Sequence, residues 1–288
     1  VKTAYYQYMQ ASQAVKIYQN ALVLLYENNR INESLLKNDK VNRTVVLRSK
    51  NELVKYEALK EAAIQSTLNA QAYFNFLLNR ELTEPIQQDS TLLQVALLPA
   101  DTAGYTNREE LLKLKIAEAI QRDLTLQSQN YKTPKISAFL DLGSQGFEGK
   151  FNNHTRYYFF GVSLQWDIFS AGINKLKTEK AKLSEQAANS QTQYAGRQIQ
   201  LGASTALNSY RSAIATFNSA KTALTTAQAY YKDVLRQYKQ GTVLYIELLD
   251  AQNEQIQAEL RMYVALFDTY LKAAEAESAN AAYDITTL

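Results

Sequence analysis

Hydrophobic positions along most of this chain step by three and four, the period of a helix face, and switch to strict alternation only once, between Pro134 and Phe169. The longest helical stretch is predicted from Asn174 to about Gln240, which at ~1.5 Å rise per residue is on the order of 100 Å. Its apolar positions, Ile199, Ala203, Ala206, Tyr210, Ala213, Phe217, Ala220, Leu224, Ala227, Tyr231, Val234 and Tyr238, keep a seven-residue period, which specifies a coiled-coil seam. One column of that seam is bulky (Tyr210, Phe217, Leu224, Tyr231, Tyr238) and the other mostly alanine, so large knobs face shallow holes. A last helix repeats the stepping through Ile246, Leu249, Asn253, Ile256, Leu260, Tyr263, Phe267 and Tyr270, and Gly241 supplies the reversal that lets the two pack antiparallel.

The breakers divide the rest. Residues 1–84 contain neither Gly nor Pro, all three prolines and six of the nine glycines fall between 85 and 172, and neither type recurs after Gly241. Long helices therefore flank a broken middle. The polar run KNDKVNR, Lys37 to Arg43, is the expected reversal of a first helical hairpin whose second helix runs from about Thr44 to Leu82. Asn107 is the expected N-cap of a helix ending near Asn130, with Glu109 and Glu110 in its first turn. Two alternating strands follow, joined by the polar loop SQGFEGKFNNHT. In the second, Tyr158, Phe160, Val162, Leu164, Trp166 and Ile168 line one face, and Tyr157, Phe159, Gly161, Ser163, Gln165 and Asp167 the other. Each strand has about the 9 to 11 residues that a tilted membrane strand needs. From the pattern alone, a membrane hairpin and a soluble hairpin packed on a helix both stay open. No run approaches the roughly 20 apolar residues of a membrane-spanning helix.

A shift of 202 positions superimposes the two ends of the chain. Tyr210 falls on Tyr8, Ala213 on Ala11, Leu224 on Leu22, Leu248-Leu249 on Val46-Leu47 and Asn253-Glu254 on Asn51-Glu52, without a gap. The chain is an internal duplication with an incomplete first copy. Gly241 then falls on Asp39, so Asn38-Asp39 serves the first copy as its turn. The segments read as 1–84, the end of the first repeat with a tip near 37–43; 85–133, a connector and helix; 134–171, the β-hairpin; and 172–288, the second helical hairpin with a tip near 239–245.

Composition narrows the chemistry. The net charge of +3 comes from 31 basic and 28 acidic residues spread along the chain, without the basic stripe that nucleic acid requires. There is no cysteine, which removes disulfides, thiolate metal sites and a cysteine nucleophile. No Ser/His/Asp set, phosphate-cradling glycine loop or metal-ligand spacing is present. His154, the single histidine, lies in the inter-strand loop and reads as solvated. The expectation is a protein without enzymatic activity, cofactor or metal. The opening residues VKTAYYQYMQ read as mid-helix with no signal-peptide pattern, which gives the expectation of a mature or truncated chain.

PKISAFLDLG, YYFFGVSLQWDIFSAGINKLK and QYKQGTVLYIELLDAQNEQIQAELRMYVALFDTYLKA, in this order and spacing, resemble the second repeat of the TolC-type outer membrane efflux proteins, the outer membrane factor family. The resemblance covers essentially the whole chain, with residues 1 to about 82 matching the end of the first repeat. It implies a mainly α fold of long antiparallel coiled-coil helical hairpins, forming an α-barrel tunnel, with a hairpin of a membrane β-barrel, assembled as a homotrimer. It also implies a location in the outer membrane of a Gram-negative bacterium, reaching into the periplasm. The implied function is an exit duct of a tripartite efflux pump or type I secretion system, with a periplasmic adaptor, an inner-membrane transporter and outer membrane lipid as partners. Three copies of one hairpin give fewer strands than the family's barrel, which implies an N-terminally incomplete chain.

By the same resemblance, Glu247 and Asp250, three apart on one helical face, line the pore constriction and form carboxylate rings that favour cations. Tyr238 is grouped with them, at a position that packs between tip helices. Asn38, Asp39, Lys40, Gly241 and Thr242 form the adaptor-binding tip, and Tyr158, Phe160, Val162, Leu164 and Trp166 the membrane-facing strand. The basic residue that some relatives carry two after the glycine is Val243 here. The competing class is a non-pore periplasmic coiled-coil scaffold or adaptor-like hairpin, which would bury that strand face against protein. Asn51 and Asn253, equivalent polar residues within the seams, read either as buried, register-setting amides or as side chains that face water.

Overall fold

The computed structural model describes residues 1–89, 106, 108–144 and 156–281. It divides into two compact units, one built from Val1–Tyr105 with Leu201–Leu288 and the other from Thr106–Gln200. The first holds α1 (Lys2–Lys37), α2 (Arg43–Leu77), the later part of α4 (Ile173–Gln240) and α5 (Tyr245–Ala279). The second holds α3 (Glu109–Gln129), β1 (Lys135–Ser144), β2 (Arg156–Gln165) and the beginning of α4. Among the described residues no helix is long and apolar enough to cross a membrane.

The duplication is repeated in the backbone. Both returning helices, α2 and α5, are 35 residues long and begin 202 positions apart, at Arg43 and Tyr245. Their preceding residues have the same extended conformation, φ −80°, ψ 156° at Asn42 and φ −81°, ψ 156° at Leu244. The turns close alike: Asp39 and Gly241 are left-handed (φ 54° and 76°), and the next N–H groups reach back five residues, Lys40 to the Leu35 carbonyl at 2.9 Å and Thr242 to that of Gln237 at 3.1 Å. This is the Schellman way of ending a helix, which needs one positive-φ residue and so selects Gly, or an Asn/Asp that tolerates it. At the far ends Asn79 (φ 54°) and Ala281 (φ 49°) also correspond. Asn79 explains why α2 stops at Leu77 and not at the expected Leu82: Arg80 N–H bonds the Asn75 carbonyl at 3.0 Å, and the Asn75 amide then holds the Leu82 and Glu84 carbonyls, at 3.1 and 2.8 Å.

The core of the first unit runs along four helices. Ile17, Ala21, Leu22 and Leu25 of α1 meet Leu53 and Tyr56 of α2 and Ile256 of α5. Tyr8 and Met9 pack with Leu266, Phe267 and Tyr270, and Tyr210 with Ala273 and Ala276. From Ala203 to Tyr238, every position of the expected α4 seam is buried or half-buried. On α5 one seam was expected, but the helix buries a wider face that also includes Leu248, Ala251, Gln252, Ala258 and Leu266, because α1 covers it as well as α4. Ile246, placed in the expected seam, is at the surface instead, while Leu248 and Leu249 turn inward. Each fully buried aliphatic or Phe side chain contributes about 1.5–3 kcal/mol relative to an exposed one.

In the second unit β1 and β2 pair antiparallel, with Ile136 opposite Leu164, Ala138 opposite Val162, Leu140 opposite Phe160 and Leu142 opposite Tyr158. β2 ends at Gln165, so Trp166 and Ile168 lie just beyond the strand in which the alternation placed them. Arg108, not Asn107, precedes α3; Asn107, Pro99, His154 and most of the inter-strand loop lie outside the described residues. Two side chains tie α3 to α4: Thr178 Oγ1 donates to the Ser128 carbonyl at 3.0 Å, and Asn189 Nδ2 to Glu118 at 2.8 Å.

Candidate functional site

Both turns of the first unit lie at one end of the helices, sealed beneath by a single apolar cluster. Tyr231, Val234 and Tyr238 of α4 pack with Tyr245, Leu248 and Leu249 of α5, and Ile31, Leu35 and Val45 from the other hairpin pack against them. The loop residues Asn38, Asp39, Lys40, Gly241 and Thr242 remain exposed. They are held by local bonds: Asn38 Nδ2 donates to the Ser34 carbonyl at 2.7 Å and Thr242 Oγ1 to the Gln237 carbonyl at 3.0 Å. The end therefore offers a rigid polar surface over an apolar plug.

Glu247 sits in the first turn of α5 and Asp250 one turn on; both are exposed, whereas Leu248 and Leu249 between them, and Tyr245 before them, are buried. Their three-residue spacing sets both carboxylates on one helical face, opposite the leucines that turn inward. Tyr238 does not join that face. It is buried, its ring centroid 5.9 Å from that of Tyr245, and its hydroxyl donates to Asn32 Oδ1 at 2.7 Å. Within the chain it is a joint between the two hairpins. Among the described residues no group of His, Cys, Asp and Glu could hold a metal ion.

Around that joint lies a buried polar layer that sequence reasoning missed. Asn28 Nδ2 donates to Gln252 Oε1 at 2.8 Å and lies 3.4 Å from the Tyr231 hydroxyl, and Ser49 Oγ donates to Asn29 Oδ1 at 2.7 Å. Asn28, Asn32, Ser49 and Gln252 are all essentially inaccessible. Gln252 Nε2 makes no hydrogen bond within the chain, and the Tyr245 hydroxyl lies beside the Asn32 and Ser49 side chains without a close bond to either. Burial pushes the Tyr245 phenol up to about 12 and raises those of Tyr231 and Tyr238. Of the two seam amides whose burial stayed open in the sequence, Asn51 is exposed, and Asn253 is half-buried, accepting from the Tyr56 hydroxyl at 2.9 Å. A signal for the true layer was present, since Asn28 and Asn32 continue the stripe Ile17, Ala21, Leu25 at steps of three and four.

On the hairpin, Tyr158, Phe160, Val162 and Leu164 are 63–83% exposed, and so are their neighbours Ile136, Leu140 and Leu142 across the pair; Trp166 follows at 54%. The chain thus presents one continuous apolar sheet face that it does not bury itself. The opposite face is mixed and closely fitted. The Phe139 ring lies over Gly161 and the Tyr157 ring over Gly143, each directly across the pair, so that a Cβ at either glycine would collide with the ring. Glycine here makes room for a cross-strand aromatic.

A family model described as outer membrane efflux protein matches residues 106–276. No curated protein matches by sequence. Among solved structures, the CusC channel aligns with TM-score 0.81 at 16% identity over 96% of this chain and 66% of its own. The outer-membrane channel OprN aligns with TM-score 0.80 at 20% identity over 97% and 64%, and the Neisseria gonorrhoeae MtrE outer membrane channel, in its open state, with TM-score 0.80 at 20% identity over 96% and 64%. The chain spans just under two thirds of the length of these structures.

Proposed function

The chain belongs to the outer membrane efflux protein family, and from that premise we propose that it forms the helical wall and a barrel hairpin of a trimeric exit duct, the outer component of a tripartite efflux pump or type I secretion system. The observation that carries this reading is the exposed apolar face of the hairpin, Ile136, Leu140, Leu142, Tyr158, Phe160, Val162 and Leu164, which a closed membrane barrel would turn to lipid. A soluble scaffold would cover it with protein, and within this chain it is bare. The hydrophilic outer faces of the helices then border water. Solutes pass without a chemical step, delivered by an inner-membrane transporter through a periplasmic adaptor.

In this reading Asn38, Asp39, Lys40, Gly241 and Thr242 are the surface that the adaptor grips, and Glu247 and Asp250 are brought by the threefold axis into carboxylate rings at the constriction. Widening the tip separates the α4–α5 hairpin from α1–α2, which costs the Tyr238–Asn32 and Asn28–Gln252 hydrogen bonds together. The test is conductance of the full-length protein in a planar bilayer. Discrete channels that prefer cations support the duct; a protein that never enters the bilayer and stays soluble without detergent would sink it.

A further inference from the structure

A water-filled barrel calls for polar side chains at alternate positions of each strand, on the face turned away from lipid. On this hairpin Ser137, Ser163 and Gln165 meet that demand at the end nearest Lys135. Beyond them the same face carries Phe139, Phe159 and Tyr157, which are 46%, 57% and 40% exposed. Three aromatic rings therefore stand in a row where the pattern asks for polar groups.

Two of the three have a local explanation. Phe139 lies across from Gly161 and Tyr157 across from Gly143, so each ring covers the bare backbone of a glycine. Phe159 covers no glycine. Its cross-strand partner is Asp141, and its ring reaches diagonally to that of Phe139, with centroids 5.5 Å apart and planes tilted by 46°. Asp141 is itself exposed, flanked by Phe159 opposite and by Tyr157 diagonally, whose hydroxyl donates to its Oδ2 at 3.4 Å. The basic residue on this face of the described strands is Lys135, six residues or about 20 Å along β1, too far to neutralise the carboxylate.

Aromatic ring faces are electron-rich and attract cations, and a carboxylate beside them adds a full negative charge. Rings alone would hold any flat apolar body; rings with Asp141 select a positively charged one. We infer that Phe139, Phe159, Tyr157 and Asp141 form a binding site on the lumen wall for aromatic organic cations, present once in each subunit. The body of such a solute stacks on the phenyl rings while its charge lies against Asp141. An anion of the same shape is repelled, and an inorganic cation lacks the body that reaches the rings. The inference rests on the duct reading, which turns this face toward the passage.

The test is fluorescence anisotropy of the full-length protein in lipid nanodiscs, titrated against rhodamine 6G, an aromatic cation, and against a sulfonated fluorescein, an aromatic anion. Empty nanodiscs serve as the blank. All proteins carry Glu247→Ala and Asp250→Ala, which keeps the tip carboxylates out of the titration. The expected result is binding of the cation in preference to the anion. Phe159→Ser should weaken cation binding about 2- to 5-fold, the range of one exposed cation–π contact. Asp141→Asn, which keeps the shape of the side chain, should also weaken it and narrow the difference between the two dyes. Conducting trimers in which both variants bind rhodamine 6G as tightly as their parent overturn the site and leave the duct reading standing. A protein that forms no channel in a planar bilayer overturns the duct reading and the site with it.

Discussion

Replacing Tyr238 by Phe removes one oxygen from the joint between the two hairpins and should act mostly through what it leaves behind. Asn32 is fully buried and its Oδ1 accepts from Tyr238 at 2.7 Å, so the variant leaves that acceptor without its donor. An unsatisfied buried acceptor costs about 1–3 kcal/mol, about a 5- to 150-fold shift in the folded population. Asn32→Leu paired with Tyr238→Phe removes both ends of the bond and replaces the amide by an apolar group of similar size, which is nearly neutral or stabilising. The cycle of two single variants and the double should therefore show a coupling of about 1–2 kcal/mol, with the double variant more stable than Tyr238→Phe alone. Denaturant titration of the detergent-solubilised protein, followed by circular dichroism at the helix band, measures it. Because the same bond joins the hairpins at the tip, Tyr238→Phe should also raise the open probability in bilayer recordings. A variant as stable as the parent, with coupling indistinguishable from zero, would refute the idea that the buried amide layer holds the tip together.

Glu247 and Asp250 changed together to Ala should lower cation preference in bilayer conductance while leaving helix content unchanged, since both are exposed; unaltered selectivity would remove them from the constriction. Alkali should unfold the helical unit in a defined window. Tyr56 and Tyr245 are held neutral by burial up to about 12 when folded but ionise near 10 when unfolded, so stability is flat below pH ~10 and falls as pH rises from there to about 12. Helicity that persists through pH 12 with an unchanged denaturation midpoint would contradict this. Gly161→Val should push aside the Phe139 ring, which is exposed and can swing clear, so the cost should stay within ~0.5 kcal/mol and leave the protease resistance of the hairpin in membrane vesicles unchanged; marked sensitivity relieved by Phe139→Ala would show the ring to be locked in place.

Periodicity carried most of the architecture into the sequence. The α4 seam, the turn at Gly241 and its counterpart at Asp39 were legible because each is a local demand: a seven-residue repeat for a seam, a positive φ for a tight reversal. The strand faces were legible for the same reason, although the alternation ran past the end of β2 to Trp166, since a side-chain pattern continues where ladder hydrogen bonds have already stopped. What stayed hidden depended on partners far along the chain. Nothing in α5 alone says that α1 covers its second side, so Gln252 and Leu248 read as ordinary positions. Asn28 and Asn32 were passed over because amides read as surface, although their spacing continued the Ile17–Leu25 stripe. Tyr238, which the family resemblance places between tip helices, meets Asn32 of the other hairpin, a partner that α4 alone does not reveal.

A hollow threefold assembly is the claim on which the remaining readings depend. Single-particle imaging of the full-length protein in detergent tests it most directly. A particle with three copies around an open axis, the α5 face bearing Glu247 and Asp250 turned toward that axis, is the expected result; a monomer, or an assembly with no central passage, would contradict it.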